Sequence, residues 1–136
     1  MKNKLRWRVF LFAGLILILM NSLVACSEAI QGPVIGFDPS SLSFAAKEGG
    51  QNPPSQTLSI TNAGIGAMPW SVTVSSDTAW LSLSPDSGTS SGEIDKVTMS
   101  VDISGMSAGD YSATITITAE KAPNTPQTVP VDLSIS

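Results

Sequence analysis

The sequence predicts an all-β fold, a sandwich of two antiparallel sheets with about seven strands, behind an N-terminal export signal. Three observations predict it. Apolar and hydroxyl-bearing residues alternate in short runs along the second half of the chain, glycine- and proline-rich turns separate the runs, and no window shows a helical period. Successive side chains of a strand point to opposite faces, so each run presents one apolar and one polar face, as half-buried antiparallel strands do.

Each predicted strand has its own apolar residues. Phe37 and residues 42–44 form the first strand, and the short segment 80–83 forms the fourth. The other five strands are defined by these alternating sets: Leu58 and Ile60; Trp70, Val72 and Val74; Val97, Met99, Val101 and Ile103; Tyr111, Ala113, Ile115 and Ile117; Val129, Val131, Leu133 and Ile135.

Two positions in these strands carry more specific expectations. Tyr111 follows Gly109-Asp110 in the sixth strand, an arrangement that predicts a tyrosine corner, in which the hydroxyl bonds to an upstream backbone group. Pro130 cannot donate a hydrogen bond to a neighbouring strand. The last strand is therefore either an edge strand, or one in which Pro130 faces away from its neighbour.

The N-terminus has the layout of a secretory signal peptide. Four basic residues within residues 2–8 precede an apolar run over residues 9–20, and Leu23-Val24-Ala25-Cys26 follows. The alternative is an uncleaved transmembrane helix, which needs about 20 apolar residues and would have to include Asn21 and Ser22. The four residues ending in Cys26 resemble the bacterial lipobox. That resemblance implies that Cys26 is acylated and becomes the first residue of the mature chain.

The predicted domains are a signal peptide over residues 1–25, a lipidated tether over 26–36 and a β-sandwich over 37–136. The expected location is the cell envelope, outside the cytoplasm and anchored to a membrane by lipid. Ser27, rather than an aspartate, follows the cysteine, and resemblance to sorted lipoproteins then implies the outer membrane in a two-membrane bacterium.

Removal of the signal makes the remaining chain strongly acidic. It keeps three lysines against eleven acidic residues, a formal charge of −8. Such a chain has no basic surface for nucleic acid. It is also repelled by an anionic membrane, so the membrane partner must be reached through the lipid anchor.

Catalysis, cofactors and metals are not expected. The chain has no histidine, and its single cysteine is assigned to lipidation, which removes the usual general base and thiol nucleophile. Carboxylate pairs such as Glu93 with Asp95 could serve a glycosidase or calcium, but solvated turn residues are the simpler interpretation. We therefore predict a protein that is not an enzyme.

Several segments resemble BACON-type domains (Bacteroidetes-associated carbohydrate-binding, often N-terminal). They are PSSLSF at 39–44, QTLSITN at 56–62, AWLSLSP at 79–85, AGDYSATITI at 108–117 and NTPQTVPV at 124–131. The resemblance covers residues 37–136 and implies an immunoglobulin-like sandwich on a bacterial surface protein, with glycan or mucin binding. The family's modules usually adjoin catalytic domains or form tandem arrays, whereas this sequence contains one copy.

The candidate ligand-binding residues are Ile65, Met68 and Trp80. Ile65 and Met68 belong to an unusually apolar loop over residues 64–69, which could instead plug an open end of the sandwich. Alternation leaves open whether Trp80 faces the core or the solvent. The predicted function is a non-catalytic module that binds glycans. The alternative is a structural or adhesive surface lipoprotein that contacts a protein.

Overall fold

The computed structural model describes residues 32–75 and 78–136. The predicted signal peptide, Cys26 and most of the predicted tether lie outside the described residues. Among the residues that are described, no helix is long and apolar enough to cross a membrane.

Nine strands make up the described part of the chain. They are β1 (Ile35–Asp38), β2 (Leu42–Ala46), β3 (Gln56–Asn62), β4 (Met68–Val74), β5 (Leu81–Ser84), β6 (Ser87–Ser90), β7 (Asp95–Val101), β8 (Gly109–Thr118) and β9 (Gln127–Ile135). One sheet has the order β1-β3-β7-β5 and the other the order β2-β9-β8-β4-β6. This confirms the predicted all-β, immunoglobulin-like sandwich.

Two departures explain why about seven strands were predicted and nine are described. The first predicted strand is two strands, since β1 pairs with β3 in one sheet and β2 pairs with β9 in the other. The second departure is β6, whose sequence Ser-Gly-Thr-Ser lacks the apolar alternation from which the other strands are predicted. It pairs with β4 through its backbone at the edge of the sheet, where pairing does not require an apolar face.

The pairing of β2 with β9 is parallel, whereas every other strand pair of the described residues is antiparallel. This pair departs from the purely antiparallel sandwich that the alternation predicted. The short segment between β1 and β2 crosses from one sheet to the other without reversing the direction of the chain. As a result, β2 runs parallel to β9.

The last strand is not an edge strand, because β9 lies between β2 and β8. The second alternative for Pro130 is the one found. Its partner Thr114 exchanges hydrogen bonds with Ser75 on the other side of β8, at 2.9 Å from the Ser75 amide to the Thr114 carbonyl and 3.1 Å from the Thr114 amide to the Ser75 Oγ. Because the amide and the carbonyl of Thr114 both point towards Ser75, Thr114 and Pro130 are one of the pairs in an antiparallel ladder that do not hydrogen-bond to each other. Pro130 therefore directs its missing N–H away from β8, just before pairing with β2 begins at Val131.

The core forms where alternate residues of both sheets meet. Fully buried side chains include Leu58, Ile60, Val97, Met99, Ile115, Ile117, Val129 and Val131. Each comes from a run that the sequence predicted as a strand, and each takes the predicted inward face. Burial of this apolar surface is what stabilises a described domain that contains no cysteine.

Trp70 shows how the two sheets are joined. The side chain of Trp70 is buried and that of its neighbour Ser71 is exposed, as predicted. Its Nε1 donates a 2.7 Å hydrogen bond to Oδ2 of Asp95, which lies in the opposite sheet. Gly88 of β6 pairs with Trp70 of β4, and a Cβ on Gly88 would lie 2.7 Å from Cζ2 of the indole. Only glycine leaves room for the ring at this position.

The strand directions define two ends of the sandwich. The end here named the Gly32 end carries Gly32 and the loops over residues 63–67, 91–94 and 119–126. The opposite end, named the Trp80 end, carries residues 47–55, Thr78 to Trp80 and residues 102–108. A full strand length separates the loops at one end from those at the other.

Candidate functional site

The three predicted ligand-binding residues do not form one site. Ile65 lies in the loop before β4, Met68 is the first residue of β4, and Trp80 lies beyond the other end of that strand. Seven residues of β4 separate the two loops, a distance of about 20 Å at the usual rise per residue. Ile65 and Trp80 are therefore at opposite ends of the sandwich.

Met68 is a core residue. Its relative exposure is 0%, so its side chain has no surface with which to contact a ligand, and the expectation that it could bind one needs correction. The reason is visible in the strand, where Met68 is in phase with the buried Trp70 and Val72. The alternation of β4 begins at Met68, whereas the sequence pattern predicts that it begins at Trp70.

Ile65 does not plug the sandwich, since its side chain is 60% exposed. Its loop is held by Asn62, whose Oδ1 accepts from the amides of Val34 at 3.1 Å and Gly64 at 2.9 Å. The Nδ2 of Asn62 donates to the carbonyl of Gly66 at 2.6 Å. One side chain thus fixes the loop and leaves Ile65 in the solvent.

Trp80 lines an open cleft of about 340 Å³ at the Trp80 end. The cleft is formed by Ala79, Trp80, Asp102, Ser104, Met106 and Tyr111. The side chains of Trp80, Met106 and Tyr111 are half-buried and pack against the core. Trp80 therefore combines the two roles that the sequence left open, with part of its ring in the core and part in the cleft.

Backbone hydrogen bonds fix the wall of the cleft. The amide of Asp102 donates to the carbonyl of Trp80 at 2.8 Å, which ties the two segments together. The amide of Ile103 donates to Oδ1 of Asn52 at 2.9 Å, and the amide of Met106 donates to the carbonyl of Ile103 at 3.0 Å. These bonds hold the polar and apolar lining residues in place without a ligand.

Asp102 provides the carboxylate of the cleft. Its Oδ1 accepts from the Ser104 hydroxyl at 2.6 Å and from the Ser104 amide at 3.0 Å. The hydroxyl bond first, and the amide bond second, lower the pKa of Asp102 below its usual value. The carboxylate is therefore ionised at neutral pH and acts as a hydrogen-bond acceptor.

Tyr111 forms the predicted tyrosine corner. Its hydroxyl donates to the carbonyl of Ser107, four residues upstream, at 2.8 Å. This bond holds the ring beside Trp80 in the cleft. Tyr111 also borders a second open cleft, of about 380 Å³, on the outer face of β8 and β9, whose lining includes the polar side chains of Asp110, Ser112 and Asp132.

The Trp80 cleft has the composition of a binding site more than that of a catalytic one. Aromatic and apolar side chains with a few placed polar groups are typical of small-ligand sites. Glycosidases need two carboxyl groups about 5–10 Å apart, and the described residues that line the cleft supply one. Among the described residues, no group of three or more histidine, cysteine, aspartate or glutamate side chains could hold a metal ion.

The sequence pattern identifies Trp80 as a candidate but not its neighbours Asp102, Ser104 and Met106. It predicts only a structural role for Tyr111. The spacing Asp102-x-Ser104 before Gly105 is a turn signal, and it could have marked a fixed carboxylate. Nothing in the sequence places that turn beside Trp80, because the connection depends on the pairing of β5 with β7.

Comparisons with solved structures agree with the fold. The periplasmic chaperone SfaE superposes with a TM-score of 0.60 at 10% identity, covering 75% of this chain and 58% of that one. The GH5 xyloglucanase of Bacteroides ovatus, solved with a heptasaccharide, gives 0.56 at 21% identity, with coverage of 76% and 19%. A candidate carbohydrate-binding protein of Bacteroides ovatus gives 0.60 at 14% identity, with coverage of 75% and 37%.

The chain thus spans less than two thirds of each of these three structures. At such low identities, the similarity concerns the fold. No curated protein matches the sequence. A family model described as the viral BACON domain matches residues 34–134, which covers most of the chain and the whole sandwich except its last strand residue. The chain therefore belongs to the BACON domain family, as its sequence motifs predicted.

Proposed function

We propose that this chain is a membrane-anchored, extracytoplasmic binding module without catalytic activity, and that its Trp80 cleft binds uncharged glycans. The observation that carries the proposal is the pairing of two part-exposed aromatic rings with a fixed carboxylate in one cleft. Family membership and the fold shared with the Bacteroides ovatus proteins support a binding role.

The apolar faces of a sugar ring would stack on Trp80 and Tyr111. Aromatic rings offer a large contact area at low conformational cost, and Met106 adds an adaptable apolar surface beside them. Sugar hydroxyls would donate to the Asp102 carboxylate, which the turn at Ser104 already orients. Because these residues are already held in place before binding, a ligand loses little affinity to the ordering of side chains.

The charge of the chain favours uncharged sugars over sialylated or sulfated ones. None of the six described residues that line the cleft is basic, and one of them is a carboxylate. The chain after the predicted signal carries a formal charge of −8. An anionic sugar would meet like charge in the cleft and across the domain, and like charges repel at such distances.

The lipid anchor is part of the proposal. The basic, apolar and lipobox segments follow one another in the order that a lipoprotein signal requires. Replacing Cys26 by serine should release the protein from membranes or leave the signal uncut. Membrane fractionation of a Cys26→Ser chain at the normal mature size would contradict the anchor.

Glycan binding can be tested on the full chain in nanodiscs by native affinity electrophoresis in gels that contain soluble polysaccharides. We expect weak binding, with Kd on the order of 0.1–1 mM for a single sugar-sized site. Dextran and dextran sulfate form a matched pair within a wider panel that includes xyloglucan. A neutral polysaccharide should retard the wild-type chain, and its sulfated counterpart should not.

Substitutions then locate the site. Trp80→Ala should abolish the retardation, whereas Thr98→Ala, an exposed change on the outer face of β7, should leave it unchanged. Retardation that survives Trp80→Ala would place binding elsewhere. No retardation by any glycan in the panel would refute the glycan proposal and favour a structural or adhesive role.

A further inference from the structure

The described residues expose two large hydrophobic side chains. Ile65 and Ile94 are each 60% exposed, and both lie in loops at the Gly32 end, one before β4 and the other before β7. Apolar residues exposed singly are common on protein surfaces. Two isoleucines at the tips of neighbouring loops at one end of the domain form a more specific arrangement.

Ser90 connects these two loops. Its side chain is fully buried, and its Oγ accepts from the amide of Asn62 at 3.2 Å and donates to the carbonyl of Glu93 at 3.0 Å. The chain just before Ile65 and the chain just before Ile94 are therefore fixed to the same atom. The two isoleucines are presented by a rigid support.

The chain enters the domain beside Ile65. The amide of Ile65 donates to the carbonyl of Gly32 at 2.9 Å, and the amide of Ala63 donates to the carbonyl of Val34 at 2.8 Å. The approach is so close that a Cβ on Gly64 would lie 2.1 Å from the Gly32 oxygen. The start of the described domain is thus locked onto the loop that carries Ile65.

The length of chain between Gly32 and the anchor is short. Five residues separate Gly32 from Cys26, so even a fully extended chain spans about 20 Å between them. A lipid on Cys26 would hold the Gly32 end within that distance of the bilayer. This step relies on the lipid anchor of the proposed function.

We propose that the Gly32 end rests on the bilayer that holds the anchor, with Ile65 and Ile94 inserted at the boundary between headgroups and acyl chains. The contact is apolar and shallow, because this end carries Glu93 and Glu120 against the single cation Lys121 in its loops and has no basic patch to attract anionic lipids. The Trp80 cleft then lies on the side that faces away from the membrane.

The experiment measures the depth of single cysteines in the full lipidated chain. Ile65→Cys, Ile94→Cys and Ser55→Cys are labelled with a bimane fluorophore in phosphatidylcholine vesicles. Ser55 is exposed and precedes β3 at the Trp80 end, which makes it the matched control. Brominated phosphatidylcholine should quench the labels at positions 65 and 94 at least threefold more than the label at position 55. Equal quenching at all three positions would overturn the proposal.

The wild-type chain separates failure of this proposal from failure of the anchor. Cys26 is its only cysteine, and a lipidated sulfur cannot take the label. An unlabelled wild type with no excess quenching at 65 and 94 refutes the membrane contact and leaves the anchor intact. A wild type that takes the label at Cys26 refutes the anchor, and the membrane contact fails with it.

Discussion

Replacing Trp70 by alanine should strongly destabilise or unfold the domain. Trp70 is almost fully buried, with a relative exposure of 4%. Truncation of a buried tryptophan to alanine costs about 3–5 kcal/mol. Domains of this size have a free energy of unfolding of about 5–15 kcal/mol. The single substitution therefore removes between a fifth and all of the stability.

The magnitude can be divided between packing and the hydrogen bond to Asp95. Trp70→Phe keeps a large aromatic ring but removes the 2.7 Å bond from Nε1 to the carboxylate. Hydrogen bonds to charged groups contribute about 1.5–3 kcal/mol. Asp95 is only half-buried, so water can replace the lost donor, and the phenylalanine variant should fall near the lower value.

The assay is thermal and urea unfolding followed by circular dichroism, which does not depend on the fluorescence of the mutated tryptophan. At about 4–8 °C per kcal/mol for a domain near 100 residues, Trp70→Ala should lower Tm by roughly 12–40 °C. Ser71→Ala, on the exposed face of the same strand, should change stability by less than about 0.5 kcal/mol. Equal unfolding midpoints for the two alanine variants would refute the assignment of the strand faces.

Three further predictions follow from the contacts described above. Gly88→Ala should cost about 1–3 kcal/mol by forcing the Trp70 ring to move, and an unchanged urea midpoint would contradict that contact. Asn62→Ala should cost about 1–3 kcal/mol, because two backbone amides lose their acceptor; hydrogen exchange at those amides should accelerate, and unchanged exchange would argue against the bonds. The pKa of Asp102 is lowered in the folded state by the hydroxyl and then the amide of Ser104. Its contribution to stability is therefore complete above the unfolded pKa, about 3.9, and is lost as pH falls through the folded pKa. The difference in urea midpoint between wild type and Asp102→Asn should shrink in that acidic range, and a difference that persists there would contradict the assignment.

The alternation of residues was enough to predict most of the sandwich, because burial of one face repeats every second residue. It predicts Trp70 in the core and Ser71 outside, and both are confirmed. The tyrosine corner, predicted from the position of Tyr111 after Gly109-Asp110, is confirmed as well. Edge strands are less visible in a sequence. The strand β6 has backbone partners but no apolar face, so periodicity carries no signal for it.

The candidate site was predicted only in part, since its members come from distant segments. Alternation leaves open whether the Trp80 side chain faces the core or the solvent. The pattern of a single strand also cannot show which residues will lie beside it. Asp102 reaches Trp80 only through the register of β5 on β7. The sequence predicts Met68 in the loop over residues 64–69, although its phase with Trp70 makes it part of the strand.

The pairing of β2 with β9 has a consequence for biosynthesis. Residues 42–46 find their partners at residues 131–135, and the amide of Glu48 bonds to the carbonyl of Ser136 at 2.9 Å. Contacts between such distant parts of a chain form slowly, since most of the sandwich must be closed into a loop first. This sheet cannot be completed until residues 131–135 have been synthesised. Synthesis of β9, rather than formation of any local hairpin, therefore sets the earliest moment at which the sandwich can close.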